Sequence, residues 1–414
     1  MKAVTFGVSV PRYILAKGLG GFTSSVTYGR LSGLALSEVP EPAIPAPDWV
    51  RLDVLLCGIC GTDLGNLTFS ASPILEPFGS FPAVLGHEIL ARVAEVGSEV
   101  TRVEVGQRVA VQPTLSCAVR GYRDYQCPSC AAGMTATCEQ AGEEGPLEVG
   151  GRPLSPGLTI GYHRDLPGGW GDQIIAHESQ LFPLSSNLED REAVLIEPLS
   201  IGVHAGLKAP PHPDEPVLVI GSGPIAMAAI WALRALGFQG DLIAQAKRRK
   251  EVELARRLGA TEVVTPGLEA RQALVGTGSL AYEPLVGPEV YSGGGFPLVY
   301  DCVGKMESLD QALRFVTPRG RIVVLGCSAQ VRKLDLTFLW ARELEMRGFM
   351  GYGREEWEGQ ELHTFDVTQQ LLVRAPIPVD RMVTHIFPLE QYRDALKAAS
   401  NRRRSGAMKV VLQP

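Results

Sequence analysis

Three short stretches of this chain carry residue types suited to gripping a metal ion. They are Cys57-Gly-Ile-Cys60-Gly-Thr62-Asp63, then Gly86-His87-Glu88, and much later Ile196-Glu197-Pro198-Leu199-Ser200. A thiolate, an imidazole and a carboxylate together form a mixed S/N/O donor set that suits zinc. Cys60, His87 and Glu197 as three protein ligands would leave a fourth position open for water or substrate. An ion so held is a Lewis acid: it makes an alcohol easier to deprotonate, and the alkoxide can then expel hydride. Thr62 is placed to pass that proton toward solvent, and Asp63 to accept from His87 and orient it. Cys57 and Cys60 could instead be a redox C-x-x-C pair, but no thioredoxin-like βαβ pattern surrounds them. Cys57 alone reads as a core cysteine. His204, on an apolar helix, reads as a hydrogen-bonded structural histidine.

A second constellation is Gly221-Ser222-Gly223-Pro224-Ile225-Ala226, a G-x-G-x-x-A pattern. Such a pattern means little alone, but this one follows an apolar strand and opens a helix. Gly221 allows the tight turn, Gly223 lets backbone N–H groups approach a pyrophosphate, and Ala226 keeps helix and sheet close. Pro224 suits the first helical turn, where its missing N–H would be unpaired, and Ile225 follows it at the phosphate-facing helix start. A chain that prefers NAD places Asp or Glu at the end of the next strand, about 20 residues on, for the ribose 2′-OH. The matching position is Ala246, followed at once by Lys247-Arg248-Arg249-Lys250. A 2′-phosphate carries close to two negative charges, so Lys247 and Arg248 point to NADP in preference to NAD. Arg249 and Lys250 read as helix-surface charges.

The elements that must position these groups fall into two styles. From Val50 the chain is β-rich: Val50–Leu56 alternates, and 88–111 is β-branched and punctuated by Gly97 and Gly106. From Val217 strands alternate with helices: strands at 217–221, 242–245, 263–264, 298–302 and 321–326, helices at 247–258 and 306–315 and one ending near Gly237. That alternation predicts a doubly wound parallel sheet. Segment 267–295 is Gly-rich and weakly periodic, a flap or a loose insertion. Helices near 369–373 and 389–399 and an end strand at 408–412 follow. The 414 residues exceed what one core usually accommodates. The 45% hydrophobic and 20% charged residues are ordinary for a globular protein, and a net charge of −6 speaks against a nucleic-acid partner. The uncharged stretch 216–233 is broken by glycines and a proline, so no membrane span is expected. Four of the eight cysteines crowd between 117 and 138, a use of cysteine that fits metal binding in a reducing cytoplasm.

Cys60-Gly-Thr-Asp, Gly86-His-Glu, Glu197-Pro-Leu-Ser, Gly221-Ser-Gly-Pro and the closing Lys409-Val-Val-Leu stand in an order that resembles the zinc-containing medium-chain dehydrogenase/reductase family. The resemblance covers nearly the whole chain and implies an α/β protein. A GroES-like, β-rich catalytic domain (1–205, completed by 356–414) would accompany a Rossmann nucleotide-binding domain (206–355). It makes Cys60 and His87 zinc ligands and leaves Glu88 and Glu197 competing for the third position; the Ile-Glu-Pro-Leu-Ser string is similar to the polyol and threonine branch. It also implies a structural zinc on four cysteines. Cys127, Cys130 and Cys138 have the family spacing; the first ligand is displaced, so either Cys117 reaches across 118–126, or Asp124 ligates, or the site is degenerate. Where the family carries a relay histidine this chain has Gly65. Insertions at about 8–35 and 66–81 border the expected site, as pocket walls or as surface decoration. The resemblance implies a zinc-dependent dehydrogenase of secondary alcohols or polyols, able to run as a carbonyl reductase, and the residues at 246–248 add NADP as its cofactor. It also implies a homodimer or homotetramer, with the edge strand near 344–349 as the pairing element. Competing readings are a zinc-free enone or quinone reductase and a non-catalytic nucleotide-binding protein.

Overall fold

The computed structural model describes residues 1–414 apart from 21, 22, 24, 30 and 328, so four positions of the 8–35 insertion lie outside the described residues. The chain divides into two compact units: 1–197 with 352–373 and 379–414, and 198–351 with 374–378. The first division falls between Glu197 and Pro198, inside the helix Ile196–Lys208, a few residues before the 205/206 boundary expected from the resemblance.

The first unit is a β-structure. Its main sheet runs 181–183, 108–111, 88–96, 49–58, 409–413, 383–388, and strand 173–177 also pairs with 49–58. The central strand Trp49–Gly58 shows why the segment folds so: Val50, Leu52 and Val54 are buried while Arg51 and Asp53 between them are less so. Its partner Glu88–Val96 runs antiparallel to it, with Gly58 opposite Glu88 and Cys57 opposite Ile89. The C-terminal strand Lys409–Gln413 joins the same sheet, Val411 opposite Gly58. Three segments distant in sequence therefore end side by side. Gly86 has φ +96°, and a Cβ there would collide with the Trp170 ring and Cys57 Sγ, so only glycine allows this entry to His87. The 8–35 insertion contributes the helix Val10–Leu19; Tyr13 meets Phe69 of the 66–81 insertion edge-on at 5.4 Å. Residues 354–357 and 360–363 form a hairpin that the sequence patterning does not anticipate.

The second unit carries a six-stranded parallel sheet in the order 262–264, 242–245, 217–220, 296–301, 316–324, 345–348. Numbered along the chain this is 3-2-1-4-5-6, the doubly wound dinucleotide-binding order. Its first strand, Val217–Ile220, is buried throughout, as a parallel strand covered on both faces must be. Segment 267–295 is structured: helix Leu268–Gly276 precedes an antiparallel hairpin, 279–282 with 290–293, separate from the main sheet. Among the described residues no helix is long and apolar enough to cross a membrane.

Candidate active site and cofactor cradle

Cys60 caps the helix Gly61–Leu67 immediately after the central strand. Its backbone N–H donates to Asp63 Oδ2 at 2.8 Å, so the carboxylate three residues on locks the turn that presents the sulfur. Thr62 is partly exposed, with Oγ1 3.6 Å from Cys60 Sγ. His87 and Glu88 arrive on the neighbouring strand. The ligand atoms of Cys60, His87 and Glu88 all lie within 4.8 Å of one another.

Glu88 is 1% exposed and forms an ion pair with Lys409, itself 3% exposed. That pair uses Oε1, and Lys409 Nζ also donates to Ile59 O at 3.4 Å. Among the described residues, no hydrogen bond reaches the buried Glu88 Oε2. A Cβ at position 58 would overlap that oxygen, so glycine is needed for the carboxylate to reach its place. An unpartnered, buried carboxylate oxygen beside a thiol and an imidazole is what a soft-to-borderline divalent cation fits.

Glu197 stands apart from that trio: the set within 4.8 Å does not include it. It is buried and accepts from Tyr352 Oη at 3.1 Å. Burial pushes its carboxyl up to about 7; His87 and Lys409 pull it back, and Glu88 adds repulsion. Of the two carboxylates the sequence offers, Glu88 is thus the one whose oxygen sits with sulfur and imidazole.

Asp63 is fully buried, and its relation to His87 differs from a direct hydrogen bond. Nδ1 of His87 is 3.6 Å from Asp63 Oδ1. The Tyr162 hydroxyl stands between them, donating to Asp63 Oδ1 at 2.6 Å and lying 3.2 Å from His87 Nδ1. Burial and then the Asp63 carboxylate hold the Tyr162 phenol well above its usual range, so it keeps its proton. For His87 burial works against the charged ring, but Asp63 and Cys60 outweigh it and raise the imidazolium's range. Tyr162 and Tyr352, both outside the strands, carry no one-dimensional signal as site residues, and Lys409 is visible only within the closing motif, not as the partner of Glu88; tertiary contact reveals all three roles. Cys57 is buried beside this group without joining the trio, and His204 is buried, packed edge-on against Phe349 at 5.6 Å.

A second donor set lies in the same unit. Cys117, Cys127, Cys130 and Cys138 are all buried with their sulfurs within 4.8 Å. Cys117 and Cys138 sulfurs are 3.7 Å apart, close to the edge of about 3.8 Å that four zinc–sulfur bonds of about 2.3 Å impose on a tetrahedron. The 118–126 excursion folds back on itself: Tyr122 N donates to Cys117 O at 3.0 Å, and Gly121 takes φ +88°. Cys127 N–H then reaches Cys117 Sγ at 3.3 Å, and Glu139 N–H reaches Cys127 Sγ at 3.4 Å. Buried Arg120 ties the excursion down by donating to the carbonyls of Gly157 and Glu143. Asp124 is exposed on the excursion, outside the cluster. The neighbouring sulfurs hold Cys138 down at about 6, while burial lifts Cys117 to about 11.

In the second unit Gly221 has φ +123° and Gly223 caps the helix Pro224–Ala235 with an extended backbone. Ile225 follows in the first helical turn, and Ala226 is fully buried against the sheet. Ala246 is buried at the end of strand 242–245, its N–H bonded to Val264 O at 3.0 Å. Lys247 is exposed. Arg248 pairs with buried Glu251 at 2.8 Å, and the other Glu251 oxygen accepts from Ser222 Oγ at 2.7 Å. Glu251, which the motif does not include, links the Gly-rich turn to the first cation past Lys247.

Comparison with known proteins agrees with this architecture. Residues 46–186 match the family model for the alcohol dehydrogenase GroES-like domain, and 224–365 that for the zinc-binding dehydrogenase domain. The chain is 28% identical over 356 residues to (R,R)-butanediol dehydrogenase of Saccharomyces cerevisiae, covering 81% of this chain and 85% of that one. It is 25% identical over 384 residues to sorbitol dehydrogenase of Bacillus subtilis, covering 91% and 94%. A solved structure from Sinorhizobium meliloti, described as a zinc-binding dehydrogenase bound to NADP, superposes with a TM-score of 0.72 at 25% identity, covering 100% and 99% of the two chains. With a GroES-like unit, a doubly wound dinucleotide-binding unit and both family models matched in order, the chain belongs to the zinc-containing medium-chain dehydrogenase/reductase family.

Proposed function

We propose that this chain is a zinc-dependent oxidoreductase that moves hydride between a secondary alcohol or polyol, or the corresponding ketone or aldehyde, and NADP. The observation that carries the reading is the Cys60–His87–Glu88 trio, with Cys60 partly exposed, His87 and Glu88 buried, and one Glu88 oxygen left without a hydrogen bond among the described residues. Cys60 and His87 would hold zinc with Glu88 Oε2 as the third donor, and Glu197 would stand behind as a buried carboxyl. Bound zinc supplies Lewis acidity toward an alcohol or carbonyl oxygen. Thr62, partly exposed beside Cys60, carries the proton toward solvent; Gly65 offers no relay group further along. The four cysteines would hold a second, structural zinc. Gly221, Gly223, Pro224 and Ile225 would cradle the pyrophosphate. The absence of a carboxylate at Ala246 and the cations Lys247 and Arg248 favour the 2′-phosphate of NADP. The relatives named butanediol and sorbitol dehydrogenase support a small polyhydric or vicinal substrate. The reading is completed by a homo-oligomer, dimer or tetramer, working in the cytoplasm.

The test is metal content and turnover together. Wild-type chain is assayed with a panel of secondary alcohols, polyols and their ketones, using both nicotinamide cofactors. Cys60→Ser is expected to abolish turnover while NADP still binds. Retained turnover in that variant removes zinc from the reaction and returns the metal-free reductase reading.

A further inference from the structure

Building on the zinc reading above, we propose that Tyr162 is a positioning residue: its phenol bridges Asp63 and His87 and sets the imidazole tautomer that leaves Nε2 to the metal. Asp63 accepts hydrogen bonds at both oxygens, Oδ2 from the Cys60 backbone and Oδ1 from Tyr162 at 2.6 Å. A phenol has one proton, and this geometry gives it to Asp63. What remains on the Tyr162 oxygen is a lone pair, 3.2 Å from His87 Nδ1. Nδ1 must therefore carry the proton that the oxygen accepts, so Nε2 is the nitrogen whose lone pair is left for a metal once the ring is neutral. The direct path is too long for a hydrogen bond, since Nδ1 and Asp63 Oδ1 are 3.6 Å apart. The carboxylate thus reaches the imidazole through the tyrosine, and the same carboxylate holds the turn that aims Cys60. One phenol couples two of the three donors.

The bridge also gives the 66–81 insertion a task. The backbone of Tyr162 is fastened to its end: Ser80 N–H donates to Tyr162 O at 3.0 Å. Two residues on, Arg164 N–H donates to Ser80 Oγ and its guanidinium to Phe81 O, both at 3.0 Å. The insertion is the clamp that keeps the phenol between Asp63 and His87.

The experiment is zinc affinity of the full chain, by competition with a chromophoric chelator, and the visible bands of the cobalt-substituted chain. Tyr162→Phe strands Nδ1–H without an acceptor and is expected to weaken binding at this site about 10–100-fold and to shift the cobalt bands. Affinity within about twofold of the parent with unchanged bands overturns the bridge. A second measurement needs no variant: in the zinc-loaded parent labelled with 15N-histidine, His87 is expected to be protonated at Nδ1, and a proton on Nε2 overturns the proposal. Should zinc leave the His87 signals unmoved, the metal reading itself fails. Should zinc move them while Tyr162→Phe binds like the parent, only the bridge fails.

Discussion

Lys409→Met isolates the electrostatics beneath the donor trio. Lys409 and Glu88 are 3% and 1% exposed, so neither charge has water to fall back on. Methionine keeps the apolar stem and removes the ammonium, leaving the Glu88 carboxylate buried without its cation. Breaking one side of a buried pair is strongly destabilising, about 3–5 kcal/mol, because the surviving charge is uncompensated. The loss is largest in chelator-stripped protein, where the carboxylate has only Lys409, and a divalent cation on Oε2 should restore part of it. The assay is urea unfolding of parent, Lys409→Met, Glu88→Met and the double variant, each with and without zinc. The double variant removes both charges and should recover most of the metal-free loss, since apolar replacement of a buried pair is often neutral. A single-variant effect below about 1 kcal/mol, or a double variant as unstable as the two singles added together, refutes the claim that this pair is a buried charge couple.

Three further outcomes follow from the same geometry. Lys247→Ala with Arg248→Ala should raise KM for NADP by about tenfold or more and leave that for NAD nearly unchanged, because lost charge-assisted contacts to a 2′-phosphate affect only the phosphorylated cofactor; equal changes refute the assignment. Cys117→Ser should lower bound zinc by one ion per chain and reduce thermal stability, because a closed tetrahedral site needs all four sulfurs; unchanged zinc content shows that the excursion is decorative. In metal-free protein the Glu197 carboxyl, lifted by burial to about 7, keeps a proton that the unfolded chain releases near its ordinary 4.5. Its stabilising contribution is full below about pH 4.5 and fades as pH rises through about 7, on the order of 3 kcal/mol in all, and Glu197→Gln should flatten that slope in unfolding experiments.

Much of the site is readable along the chain because motifs are local. Cys60 and Asp63 lie within one turn, His87 and Glu88 are neighbours, and the Gly221–Ala226 turn is a continuous strand–turn–helix. Their chemistry depends on residue type and short spacing, which a sequence displays directly. The alternation of strand and helix from Val217 likewise implies the parallel sheet, since hydrophobic periodicity is a local property. By contrast, the helix and hairpin within 267–295 lack strong periodicity, because a two-stranded hairpin off the main sheet buries little on either face.

The sequence by itself determined which atoms are on offer: one thiolate, one imidazole, two candidate carboxylates, a four-cysteine cluster and a pair of cations past a Gly-rich turn. Only tertiary structure decided among them. Register between strands 49–58, 88–96 and 409–413 puts Lys409 on one Glu88 oxygen and leaves the other bare, while Tyr352 takes Glu197. Compact turns in 118–126 bring Cys117 to its three partners despite the altered spacing. Tyr162 enters between Asp63 and His87 from a loop distant in the chain. The physical reason is one of range: turn and helix preferences act over a few residues, whereas burial and hydrogen-bond satisfaction act through space, between groups whose separation in sequence is arbitrary.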